Sequence, residues 1–477
     1  MEKKTKIVAT ISDRRCDVEF IRSLYEAGMN VVRINSAHTS FEGATNIVNN
    51  TRAVSEKIAI LVDTKGPEIR TTRMADEGIA VEEGDLLTLR GTDDNDLLSS
   101  RDCIFLNDRD IFDEVPVGVA VLIDDGDIAL EVTDKIDGAL IARVRNSGVI
   151  KGRKSVNIPA VHLHLPALTE RDREYIHWAV RMNLDFIAHS FVRHKQDLLD
   201  IQKILDAEHS TIKIISKIEN QEGVDNIDEI LDHTYAVMVA RGDLGVELNA
   251  EQIPIVQKNL VQKCIESKKP VIIATQMLHS MINNPRPTRA EVSDVANAIF
   301  QRVDAIMLSG ETANGKYPVE AVKAMAKIAL AIEQEVAPII DVNMVRINNE
   351  ITAQLARSAV RACTNLPVKA VLIDTLSGRT GRYLAAFRGE KPVYALCYRK
   401  HVMREMALSY GVYAEYAEPA IAHDRFSYQM LLILEREGKI ANDDLVVVVG
   451  GSFGAAKGAS FMEISKVIHL LNKAMIE

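Results

Sequence analysis

The chain has 477 residues, 47 % of them hydrophobic and 26 % charged, with a formal net charge of −10. That length exceeds one ordinary core, so two or three domains of a soluble globular protein are expected. The acidic balance argues against a general affinity for nucleic acid or an anionic membrane surface.

Five cysteines, Cys16, Cys103, Cys264, Cys363 and Cys397, lie far apart and show no CxxC spacing, which speaks against a zinc site or disulfide framework and for a reducing cytoplasm. The opening MEKKTKIVATISDRR meets charge before any long apolar run, so neither a signal peptide nor a membrane anchor is expected.

Taken in order, eight short apolar runs rich in β-branched residues follow: Lys6 to Ile11, Val31 to Asn35, Ile58 to Thr64, Phe186 to Phe191, Ile212 to Ile218, Tyr235 to Arg241, Pro270 to Gln276 and Asp304 to Ser309. Most are almost continuously apolar, as strands buried on both faces are. Segments of helical period lie between them, clearest at Asp17 to Ala27 and Gly223 to Leu231, and Pro318 to Glu333 follows the last. Such alternation predicts a (β/α)8 TIM barrel.

From about Thr71 to Pro159 the pattern changes to short runs broken by Gly and Asp, as in VEEGDLLTL and VAVLIDDGDIAL. Turn residues at that spacing predict the antiparallel hairpins of a small all-β domain inserted after the third strand. It would sit over the C-terminal mouth of the barrel as a lid. After about Pro338, Val345 to Cys363 reads as a helix, and Ala370 to Asp374, Pro392 to Tyr398 and Leu445 to Val449 as buried strands of a C-terminal doubly wound α/β domain. The expected division is residues 1–70 and 160–337 for the barrel, 71–159 for a β-barrel lid and 338–477 for the C-terminal domain.

Barrel active sites lie at the C-terminal ends of the strands, and here those ends are dense with charge. Strand two delivers Arg33 and Asn35 with His38 just beyond, and strand three Asp63, Thr64, Lys65, Glu68 and Arg70. Lys217 and Glu219 in IISKIEN leave one face of strand five one period apart. Arg241, Gly242 and Asp243 end strand six, Thr275 and Gln276 strand seven, and Ser309 and Glu311 follow strand eight. Glu219 and Asp243, on adjacent strands, could share one Mg²⁺. Arg33, Arg70 and Lys217 could then neutralise a transferring phosphoryl group. A structural ion-pair network is the plain alternative. No GxxxxGK[ST] loop and no GxGxxG occurs, so any nucleotide binds by another route.

The segments ISKIENQEGVDNIDEI, VMVARGDLGVE, ATQMLHSMINNPRPTRAEVSDVANAI, AIMLSGETANGKYP, LVDTKGPEIRT and AGMNVVRIN resemble the pyruvate kinase family in order and spacing. The resemblance is strongest in the barrel and looser in the lid and C-terminal domain. It implies phosphoryl transfer from phosphoenolpyruvate to ADP, giving pyruvate and ATP in the last step of glycolysis, in a cytoplasmic homotetramer. It also implies roles for individual residues: Lys217 stabilising the phosphoryl in flight, Glu219 and Asp243 holding Mg²⁺ or Mn²⁺, and Gly242 and Asp243 offering amides to the substrate carboxylate. Thr275 would lie near the protonated carbon and Arg33 on the phosphate, while Asn35, His38, Arg70 and Lys154 would contact the nucleotide.

The family's K⁺ ligands correspond to Asn35, Asp63 and Thr64, but Ala37 replaces a serine that helps hold the ion. Glu68, by contrast, is the acid that accompanies potassium dependence. The expectation is that K⁺ activates and binds weakly, with a backbone carbonyl, a water or Ser36 completing the shell. Thr375, Ser377, Gly378, Arg379 and Thr380 form a turn opening a helix, similar to the loop that binds phosphorylated sugar effectors in regulated members, although a plain capping turn would look the same. The later loop Gly450 to Ser460 lacks the family's Thr-Asn pair. A Mg²⁺-dependent barrel lyase and a non-catalytic metabolite sensor remain as other readings.

Overall fold

The computed structural model describes residues 2–159, 161, 163, 165–337, 342–418, 426–451 and 458–476, with side chains to residue 472. Eight parallel strands close into a barrel in chain order: β1 (Lys6–Thr10), β2 (Val31–Asn35), β3 (Ala59–Asp63), β4 (Phe186–His189), β5 (Lys213–Ile218), β6 (Ala236–Ala240), β7 (Val271–Ala274) and β8 (Ala305–Leu308), with β8 pairing back onto β1. All eight fall within the predicted runs, β2 matching its run and the other seven trimmed by a residue or two at one or both ends.

Both faces of these strands are buried. Val8, Val31, Leu61, Ala188, Ile215, Met238 and Ile272 pack together inside the barrel, while Ile7, Val32, Ile60, Ile187, Ile214, Val237 and Ile273 belong to the core shared with the surrounding helices. Side chains alternate along a strand, so the residues two places beyond Val31, Leu61 and Ile215 also face the axis. These are Arg33, Asp63 and Lys217, and the pleat alone gathers them at one rim.

The helix predicted over Asp17 to Ala27 spans Val18–Ala27, with Asp17 accepting from the Phe20 amide as N-cap and Gly28 closing it in the left-handed conformation. The segment predicted as one helix from Gly223 to Leu231 is instead two, Gln221–Asp225 and Ile227–His233. Asn226 sits at the break and its side-chain amide donates to the Arg193 carbonyl at 3.0 Å, a tertiary bond that period alone does not reveal.

Between β3 and β4 the chain builds a six-stranded sheet and two two-stranded ribbons around a separate apolar cluster that includes Leu89, Leu106, Val121 and Leu140. One short helix, Ile111–Glu114, joins them. The two ends of this insertion run side by side, with the Val156 amide donating to Ile69 O at 2.8 Å and the Thr71 amide to Lys154 O at 2.9 Å.

The C-terminal sheet contains β9 (Val368–Thr375), β10 (Val393–Cys397), β11 (Val412–Tyr416), β12 (Leu445–Gly451) and β13 (Ala459–Lys466) in the order β11-β10-β9-β12-β13, with only β13 antiparallel. Sequence reading missed β11 and β13. Both are edge strands interrupted by polar residues, Glu415 in β11 and Ser460, Glu463 and Ser465 in β13, so neither forms a continuous apolar run. The predicted helix Val345 to Cys363 begins only at Glu350 and runs to Asn365. Asn349 caps it, and Arg346 upstream is pulled to the barrel by Asp232 and Ser267. Residues 452–457 of the Gly450 to Ser460 loop, and residues 160 and 338 at the expected domain junctions, lie outside the described residues.

Two buried ion pairs join the C-terminal domain to the barrel. Arg388 grips Asp304 through two bonds of 2.7 and 2.5 Å, and Arg404 meets Asp185 at 2.5 Å. Among the described residues no helix is long and apolar enough to cross a membrane.

Candidate active site

Lys217 rises from the end of β5 into a nearly closed cage. Its Nζ lies 3.0 Å from Asp63 Oδ1, 2.9 Å from Glu219 Oε1 and 2.6 Å from Ser190 Oγ. Asp63, on β3, uses its other oxygen for Arg33 on β2, at 2.7 Å from both Nε and Nη2. Arg33 is held further by Thr10 Oγ1 on β1, 3.0 Å away. Neighbouring strands thus place two cations and two carboxylates in one connected network, and each member is less than a tenth exposed.

The second oxygen of Glu219 accepts the Phe191 amide at 2.6 Å. Phe191 has φ of 55°, a conformation unfavourable for a bulky residue, which turns that amide toward the carboxylate. Asp243 lies in the first turn of the helix Arg241–Glu247 that follows β6, where its charge acts on the Glu219 side chain.

Burial would push the Lys217 ammonium down, but Asp63 and Glu219 outweigh it and hold it above its ordinary value. Burial pushes the Glu219 carboxyl up to about 7, against Lys217 and with Asp243. Asp243 is also raised, chiefly by burial. At Asp63 burial opposes ionisation, yet Arg33 and Lys217 prevail and keep the carboxyl below the usual range. Two buried carboxyls that act on one another beside a single shared lysine are short of positive charge. Their hard oxygens suit a divalent cation of the Mg²⁺ or Mn²⁺ type.

After β7 the backbone makes two successive left-handed residues, Thr275 with φ of 70° and Gln276 with 54°. This turn presents Thr275 Oγ1 to the Gly242 amide at 2.7 Å. The predicted nucleotide residues are more dispersed. Asn35 is half-buried and accepts the Ala37 amide, His38 is exposed, and Arg70 pairs with Glu68 at 2.7 Å while donating to the Arg153 carbonyl. Lys154 in the insertion pairs with Asp124 at 2.8 Å. A cavity of about 310 Å³ separates this insertion from the barrel mouth, lined by Glu68, Asp125, Phe191, Asp243 and Glu247 among others.

At the predicted potassium position, Thr64 Oγ1 accepts the Ser190 amide at 3.1 Å and Asp63 is committed to its two cations. The Ser36 hydroxyl is fully buried and lacks a hydrogen-bond partner among the described residues. In the C-terminal domain the Gly378 amide donates to Thr375 Oγ1 at 2.9 Å, and Gly378 has φ of 73°. A Cβ there would stand 2.6 Å from Met406 Cε, so the turn accepts little but glycine.

Ser190 is the residue that sequence reading missed. It directly follows β4, bonds Lys217, and reaches Asp63 Oδ1 at 3.3 Å and the Thr64 carbonyl at 2.7 Å. The signal was positional, because strand four was the one barrel strand beyond the first from which no rim residue was drawn.

A closed (β/α)8 barrel with a caged lysine and paired carboxylates at its C-terminal rim defines an enzyme acting on anionic substrates. The family model "Pyruvate kinase, barrel domain" matches residues 2–322, and "Pyruvate kinase, alpha/beta domain" matches residues 353–465. The chain is 45 % identical over 473 residues to a pyruvate kinase of Borreliella burgdorferi, covering 98 % of each, and 43 % identical to one of Geobacillus stearothermophilus, covering 99 % of this chain and 82 % of that one. A crystal structure of a pyruvate kinase from Cryptosporidium parvum superposes with a TM-score of 0.90 at 33 % identity, covering 98 % of this chain and 96 % of that one. The chain belongs to the pyruvate kinase family. Its reaction is phosphoryl transfer from phosphoenolpyruvate to ADP, which yields pyruvate and ATP in glycolysis.

Proposed function

We propose that Lys217 is the group that stabilises the phosphoryl between donor and acceptor, and that the cage of Asp63, Glu219 and Ser190 aims it. The observation that carries this reading is the triple contact of Lys217 Nζ, all within 3.0 Å, which fixes a charged ammonium at the rim in a setting largely cleared of water. Arg33, steered by Asp63 and Thr10, faces the same rim and binds the phosphoryl oxygens.

Glu219 and Asp243 would hold Mg²⁺ or Mn²⁺, which when bound supplies charge neutralisation for the phosphoryl oxygens and the enolate. The Gly242 and Asp243 amides take the substrate carboxylate. At rest Thr275 Oγ1 accepts the Gly242 amide and donates to the Ala274 carbonyl, so a carboxylate that takes over the amide frees an acceptor on the threonine oxygen. That acceptor then orients the proton source at the enolate carbon.

Asn35, His38 and Arg70 from the barrel, and Lys154 from the insertion, approach ADP from two sides. Residues 71–159 then act as a lid over the cavity, excluding water so that the phosphoryl is transferred rather than hydrolysed. For K⁺ the shell is Asn35, Asp63 and Thr64, with the partnerless Ser36 hydroxyl replacing the ligand lost at Ala37. The Thr375–Thr380 turn, with Ser377, Gly378 and Arg379, binds a phosphorylated sugar effector. Exposed Ile255 and Phe300 on barrel helices and Phe461 and Ile464 on edge strand β13 support a homotetramer, and the enzyme works in the cytoplasm.

The test is a coupled assay of pyruvate formation with and without ADP, on the wild type and on Lys217→Ala. ADP-dependent turnover that falls by several orders of magnitude in the variant, with Mg²⁺ and nucleotide binding retained, is the expected result. Near-normal turnover in Lys217→Ala overturns the assignment.

A further inference from the structure

The helix Glu170–Arg181 is the first helix of the barrel after the insertion, and its opening turn is tied to two loops of the rim. Arg171 donates to the carbonyls of Ser36 at 2.9 Å and Thr39 at 3.3 Å, beyond β2. Its neighbour Asp172 reaches the loop beyond β3. Thr169 and Asp172 form a capping box, in which the Thr169 hydroxyl accepts the Asp172 amide and the Asp172 side chain accepts the Thr169 amide.

The cap occupies only one oxygen of the carboxylate. Oδ2 takes the Thr169 amide at 3.1 Å and the Thr169 hydroxyl at 2.6 Å. Oδ1 is turned to a distant part of the chain, where it accepts the Lys65 amide at 2.9 Å and the Gly66 amide at 3.4 Å. Asp172 is fully buried, a placement that is costly for a carboxylate unless its oxygens are bonded. Helix capping by itself requires neither that burial nor the second pair of bonds.

The loop held by Oδ1 is the floor of the lysine cage. Gly66 has φ of 71°, and a Cβ there would stand 2.8 Å from Ser190 Cβ and 2.9 Å from Phe191 Cδ2, so its backbone lies directly against both residues. Thr64, two places earlier, accepts the Ser190 amide at Oγ1 and the Ser190 hydroxyl at its carbonyl. Ser190 in turn accepts from Lys217 Nζ, and the Phe191 amide donates to Glu219. Contacts therefore run unbroken from Asp172 through Gly66 to the lysine. A misplacement of about 1 Å in such a site costs up to about a hundredfold in rate.

We propose that Asp172 is a positioning residue for the phosphoryl transfer. It touches no reacting atom. By gripping the Lys65 and Gly66 amides it sets the loop against which Ser190 rests, and Ser190 aims the Lys217 ammonium. The inference rests on the role given above to Lys217 and adds the helix that braces it.

The experiment measures steady-state kinetics and thermal unfolding of the full-length enzyme for Asp172→Asn, Ser190→Ala, the two combined, and Thr169→Val. Asparagine keeps the size of the side chain, but its amide group cannot accept, so the bonds of Oδ1 and Oδ2 are no longer made together. Thr169→Val removes the capping hydroxyl and leaves the Lys65 and Gly66 bonds in place. If Asp172→Asn does not fold, Asp172→Ser replaces it in both backgrounds. The expected result is a fall of about tenfold in kcat for Asp172→Asn, with half-saturating phosphoenolpyruvate within about twofold of wild type. Added to Ser190→Ala, the same substitution lowers kcat by less than about twofold more, because both act on one contact. Thr169→Val unfolds at a lower temperature and keeps kcat within about twofold.

A kcat for Asp172→Asn within about twofold of wild type overturns the proposal. So does a further loss of about tenfold on top of Ser190→Ala, which places Asp172 on another route. A fall in Thr169→Val equal to that in Asp172→Asn reduces Asp172 to a helix cap, and an unchanged kcat in Ser190→Ala removes the link to Lys217; either overturns the positioning role. Any of these results beside a large loss in Lys217→Ala leaves the reading of Lys217 standing, whereas near-normal turnover in Lys217→Ala removes both.

Discussion

Asp63 and Lys217 stand 3.0 Å apart across the top of the barrel, and the second oxygen of the same carboxylate lies 2.7 Å from Arg33. One acid therefore spaces two cations that would otherwise repel each other at the rim, where the proposed site handles a phosphoryl group. Removing it leaves both charges buried and loosely held. Asp63→Asn should lower kcat by at least two orders of magnitude, because positioning dominates phosphoryl transfer. Steady-state kinetics checks this, and an unchanged kcat would show that the spacing carries no catalytic weight.

Ser190→Ala separates aim from charge. The ammonium keeps Asp63 and Glu219 but loses its shortest bond, at 2.6 Å. A drop of about tenfold in kcat, with little change in stability, is the expected outcome.

The Arg388 and Asp304 pair offers a stability test remote from the chemistry. Both side chains are almost fully buried, and Asp304 also accepts the amides of Val271 and Tyr410. Arg388→Ala strands a buried carboxylate and should cost about 3–5 kcal/mol in denaturant unfolding. A loss below about 1 kcal/mol would mean that water reaches the pair.

Ser36→Ala should weaken K⁺ activation while sparing Mg²⁺ activation, since only the partnerless hydroxyl is removed. Titrating turnover with KCl at constant ionic strength, balanced by a tetraalkylammonium salt, reads the half-activating concentration. An unmoved value excludes Ser36 from the shell.

Much of this architecture was legible because a parallel barrel demands strands apolar on both faces, and the eight runs from Lys6 to Ser309 had that character. The rim residues followed from the pleat, which sends Arg33, Asp63 and Lys217 the same way. What stayed hidden depends on contacts distant in sequence. Ser190 acquires its place only when β4 lies beside β3 and β5. The Phe191 amide that holds Glu219 belongs to the backbone and leaves no trace in side-chain identity. Edge strands β11 and β13 lack a second buried face, and Arg346 breaks the helical reading upstream of Glu350 by reaching across to Asp232.

The insertion leaves and rejoins the barrel at Ile69 and Val156, whose backbones are joined by a single 2.8 Å hydrogen bond. Its two stems are therefore a ready-made hairpin, and the barrel experiences the whole excursion as if it were a short turn. Such a module can lengthen, shrink or be exchanged without disturbing the staves beneath it, so the insertion and the barrel are free to diverge at separate rates.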